Sequence, residues 1–124
     1  MLRILIVVLA FLMLLGLGAY LFYARSTESA KVEAARAQVR VLDVAVKTYQ
    51  VKNGNPPQTL EVLLQPDPAA GGSPYLENRQ ALLDPWGKQF QYAPEGLKNK
   101  TTGPAIWTTT RDGQMIGNWL EPKK

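Results

Sequence analysis

"VEAARAQVRVLDVAVKTYQVKNG", Val32 to Gly54, is the stretch that decides the fold. Val32, Ala35, Val39, Leu42, Val46 and Tyr49 step by three, four, three, four and three, which lines them up along one face of a helix. Lys31, Arg36, Arg40, Lys47 and Lys52 fall off that face. No proline or glycine interrupts the chain from Ala19 to Lys52, so the helix runs on backwards from the stripe. It stops at Asn53-Gly54, because glycine tolerates the left-handed conformation that closes a helix. The Pro56-Pro57 pair beyond forbids continuation.

Upstream lies "ILIVVLAFLMLLGLGAYLFY", Ile4 to Tyr23, twenty residues without a charge. As a helix it spans roughly 30 Å, the thickness of a bilayer's hydrocarbon core. Thirteen of the twenty are Leu, Ile, Val or Phe. At about 0.3–0.6 kcal/mol each, their insertion gains about 4–8 kcal/mol as an upper figure. Tyr20 and Tyr23 sit near one end, where amphipathic rings favour the headgroup region. The run outlasts the apolar part of a cleaved secretory signal, and no small-x-small cleavage site precedes the charged residues. The expectation is a retained membrane anchor over residues 1–25 and a soluble domain over 26–124, sharing one helix of about fifty residues. Arg3 and the amine of Met1 flank the anchor on one side, and Arg25, Lys31, Arg36 and Arg40 on the other. The count of basic residues favours a cytoplasmic body, but charge alone does not assign the side.

The stripe needs a cover. It could be the seam of a coiled-coil dimer, but six positions with five alanines between Ala30 and Ala45 make a short one. A sheet of the same domain serves at least as well. Downstream, Thr59 is placed to cap one or two turns over "LEVLL". Pro66 to Tyr75 reads as loop, and "YLENRQALL", up to Leu83, has the composition of another short helix. "DPWG", Asp84, Pro85, Trp86 and Gly87, has type I turn chemistry and delivers an alternating strand over Lys88–Ala93. Ala105–Thr110 is a second strand, Asp112-Gly113 a hairpin turn, and Gln114–Leu120 a third strand. Trp86, Trp107 and Trp119 are expected to build the core of so small a sheet. The fold class is therefore α+β: one long N-terminal helix, its rear half packed on a three-stranded antiparallel sheet.

The chain has 124 residues and a net charge of +4, with no cysteine and no histidine. That removes thiol nucleophiles, disulfides and imidazole acid–base chemistry. The carboxylates are dispersed, and Ser26, Ser29 and Ser73 stand beside no plausible base. No catalytic residue, and hence no enzyme, is expected. Asp112 is the one weak candidate for calcium, but it stands alone and Arg111 beside it opposes a cation. No cofactor, small-molecule substrate or nucleic acid is expected, since the basic residues are scattered rather than clustered.

Taken together, "AARAQVRVLDVAVKTYQVKNGNPPQTLEVLL", "LLDPWGKQFQYAPEG" and "RDGQMIGNW" resemble the type IV pilin-like proteins, in particular the major pseudopilin of type II secretion. The likeness covers residues 28 to 120. It implies a pilin-like fold, an inner-membrane anchor with the body on the periplasmic side, and partners among other pseudopilin-like subunits or secretion-apparatus proteins. It also implies lateral helix packing, with Ile4–Tyr23 and the stripe as contact surfaces. The other reading is a stand-alone anchored interaction module that does not polymerise. The sequence departs from the family in three ways. No glycine precedes Gly16 and no acid precedes Glu28, so processing by a prepilin peptidase is not expected. Pro56 stands at the position of a tyrosine. The acid-rich calcium loop of the family is reduced here to Asp112.

Overall fold

A computed structural model describes residues 1–98 and 100–120. The chain divides into two compact units, Met1–Lys31 and Val32–Lys124. Helix α1, Leu2–Asn53, is unbroken and belongs to both.

The first unit is helix alone. Every residue from Met1 to Tyr23 is exposed, including Ile6, Phe11, Leu15 and Phe22. Thr27 donates its hydroxyl to the carbonyls of Ala24 and Tyr23, at 2.8 and 3.0 Å, so it adds no unsatisfied polar group to the helix. Lys31 and Glu28 pair at 3.8 Å one turn apart. An unburied apolar surface of this extent is far beyond what a water-soluble monomer shows. The helix is long and apolar enough to cross a membrane.

Among the described residues of the second unit, the rest of α1 lies against three short strands and three short 3-10 segments. The strands are β1 (Gln91–Ala93), β2 (Ala105–Thr109) and β3 (Met115–Gly117). They form one antiparallel sheet in the order β1-β2-β3, with Tyr92 opposite Ile106 and Thr108 opposite Ile116. This register puts Tyr92, Ile106 and Ile116 on the helix side. Ala35, Val39, Leu42 and Val46 meet them there with Leu60, Leu63, Leu76, Leu82 and Phe90. The α+β pilin-like arrangement expected from the sequence is the one observed.

Several details differ. The 3-10 segments are Leu60–Leu64, Pro68–Ala70 and Arg79–Leu82. Thr59 precedes the first of them with no side-chain capping bond. Asp67 is the one that caps, accepting from the amide of Ala69 at 3.0 Å. β1 is shorter than Lys88–Ala93, since Gln89 pairs as an isolated bridge with Leu83 rather than with β2. β3 ends at Gly117 because Asn118 turns its side chain back to accept from the amide of Ile106, at 3.1 Å. The tryptophans divide. Trp86 packs against the core, whereas Trp107 and Trp119 meet edge to face at 6.0 Å, half-buried. Trp107 pairs with Gly117, and a Cβ on Gly117 would stand 2.6 Å from the Trp119 ring. The absent side chain thus makes the seat of that ring.

Candidate functional site

Asp84, Pro85, Trp86 and Gly87 form the expected turn, closed by the Gly87 amide on the Asp84 carbonyl at 3.0 Å. Gly87 takes φ +82°, the left-handed conformation that lets Asp84 and Lys88 pair across the turn at 2.7 Å. The Asp84 side chain is buried and fully engaged. One oxygen accepts from the amides of Trp86 and Lys88, at 3.0 and 2.8 Å. The other accepts from the hydroxyl of Thr108 on β2 and faces the Lys88 ammonium at 4.0 Å. Lys88 in turn donates to the carbonyl of Thr109 at 2.7 Å. This is a structural joint between turn and sheet, its three hydrogen bonds going to its own turn and to β2.

A second joint closes the end of α1. Asp67 accepts from the Tyr75 hydroxyl and from the Asn53 side-chain amide, the latter at 2.7 Å. These bonds, Tyr75 foremost, hold its carboxyl below the usual range. Burial and the same contact push Tyr75 up. Tyr92 donates to the carbonyl of Pro57 at 2.7 Å, and burial raises its pKa to about 12. Gln38 donates to the carbonyl of Leu83 at 3.0 Å, and Asn118 to Asp43 at 2.9 Å, which stitches α1 to both sides of its cover.

The expected helix-packing residues are taken up by the domain's own core. Ala35, Val39, Leu42 and Val46 are buried, with Val32 and Tyr49 half-buried beside them. Another face of the same helix is open. Val41, Val44 and Val51 are 58, 64 and 85% exposed, with Ala34 and Ala37 exposed on the turns before them. Ala34, Ala37, Val41, Val44, Thr48 and Val51 repeat the three–four spacing of the buried stripe. That spacing was available in the sequence as a second stripe, and only the larger Leu42 and Tyr49 set the buried one apart. Asp112 sits exposed in the β2–β3 turn, where Gly113 (φ +81°) closes onto Thr110 at 3.0 Å. Among the described residues no three carboxylates gather about it.

A long N-terminal helix with its rear half laid on a small antiparallel meander is a pilin-like arrangement. A family model described as type II secretion system (T2SS), protein G, matches residues 23–120, and the chain belongs to that family. No curated protein matches the chain.

Proposed function

We propose that the protein is a membrane-anchored structural subunit of a type II secretion apparatus, associating with neighbouring pilin-like subunits by lateral helix packing. Its family is a structural component of that machinery. In this reading Ile4–Tyr23 anchors the chain in the inner membrane, the body is periplasmic, and no chemistry is performed. The observation that carries it is the unburied apolar face of α1 at Ala37, Val41, Val44 and Val51. A helix already covered on one side by its own sheet gains nothing from a second apolar stripe unless something covers that too.

The chain has no cysteine, so cysteines introduced in pairs among Ala37, Val41, Val44 and Val51 report only on their own contacts. Oxidation of the full chain in native membranes should give reductant-sensitive multimers. A strictly monomeric product at every pair would remove the assembling subunit and leave an anchored module that does not polymerise. For orientation, a periplasmic reporter fused at the C-terminus should be active, and a silent one reverses the assigned side.

A further inference from the structure

Beside the covered face of α1 lies a groove of about 520 Å³. One wall carries Arg36, Arg40 and Asp43, and the other Met115, Trp119 and Leu120. We propose that this groove takes an extended, carboxylate-bearing segment of a partner protein, held by an added backbone pairing on β3. The proposal does not rest on subunit assembly, since none of the outward-facing valines lines the groove.

Three observations select that occupant. The first is the sheet edge. Among the described residues, β3 is the last strand of the sheet and pairs with β2 alone. The bonds from Thr110 to Gln114, at 2.9 Å, and from Asn118 to Ile106, at 3.1 Å, fix which residues in and flanking β3 face β2. By the alternation of an antiparallel ladder these are Gln114, Ile116 and Asn118, so the N–H and C=O of Met115 point to the open edge. Such an unpaired edge is the template on which extended peptides add as strands.

The second is charge. Arg36 is held by Glu33 at 2.8 Å and Asp43 by Lys47 at 2.7 Å. Arg40, exposed one turn beyond Arg36, has no ion pair or hydrogen bond among the described residues. The guanidinium left over is matched by a carboxylate, which it can grip with two parallel bonds. The third is apolar surface. Met115 and Leu120 are 38 and 46% exposed, beside the half-buried Trp119. A strand that alternates apolar and acidic residues would turn one set toward Met115 and Leu120 and the other toward Arg40.

The test uses the full chain in detergent micelles, with fluorescent eight-residue peptides alternating Val with Glu or Val with Lys. The acidic peptide should bind and the basic one should not. Arg40→Glu, at an exposed position, should weaken binding about tenfold or more, the loss of one charge-assisted contact. Met115→Pro, which removes the outward N–H without touching the ladder to β2, should weaken it too. Hydrogen exchange at the Met115 amide should slow when the acidic peptide is bound. Equal binding of both peptides, no effect of Arg40→Glu, or unchanged exchange at Met115 would each overturn the proposal. Self-association that excludes both peptides would overturn it as well.

Discussion

Two faces of one helix, repeating the same three–four spacing, meet opposite fates in the second unit. Ala35, Val39, Leu42 and Val46 are buried beneath Ile106 and Ile116, while Ala37, Val41, Val44 and Val51 stand open. Periodicity alone does not choose between them. What separates them is what the rest of the chain lays over one of them, and where that cover is tied: Gln38 to Leu83, Asp43 to Asn118. An amphipathic pattern therefore states how many surfaces a helix must hide. The sheet decides which of these the domain hides for itself.

That contrast can be broken from the inside first. Leu42→Ala empties a fully buried position and should cost about 2–5 kcal/mol, read as a large fall in melting temperature of the full chain in micelles. A loss no greater than that of an outward valine would mean that the sheet does not cover this face. Removing the joint under the sheet comes next. Asp84→Ala strands the amides of Trp86 and Lys88 and the Thr108 hydroxyl, and should cost about 2–3 kcal/mol by the same measurement.

A pH series sharpens the end of the helix. The carboxyl of Asp67 titrates below its ordinary value of 3.8 in the folded chain, so its bonds contribute fully above that value and are lost as pH falls through the lowered one. Asp67→Asn should therefore lower the melting temperature at neutral pH, with the gap to the unaltered chain closing in strong acid. A gap that persists unchanged in acid would mean that Tyr75 and Asn53 do not hold an ionised Asp67. The smallest effect belongs to the outward face. Val44→Ala should change stability by about 0.5 kcal/mol or less, because no packing of its own domain is lost. A larger loss would mean that the face is covered within the chain.

Much of this was legible from residue order. The stripe, its stop at Asn53-Gly54, the turn at Asp84–Gly87 and three strands in antiparallel order all follow from spacing and turn chemistry. What was not legible depends on bonds between distant residues. β1 is shortened because Gln89 pairs back on Leu83, and β3 because Asn118 folds onto Ile106. Trp107 and Trp119 look like core residues by type, yet they pair with one another across Gly117, a contact that no local pattern encodes. Asp84 reads as a turn residue, but its Thr108 bond crosses 24 positions and makes it a buried joint.

The hydrogen bond from Asn118 to Asp43 links positions 75 residues apart, with the helix made first and its cover last. At about 5–20 residues per second of synthesis, roughly 4–15 s separate the two. Until Ile116 and Asn118 are made, the cover over Ala35, Val39, Leu42 and Val46 is incomplete and its tie to Asp43 is missing. The order of translation thus sets a waiting time before the domain can finish hiding its own face of the helix.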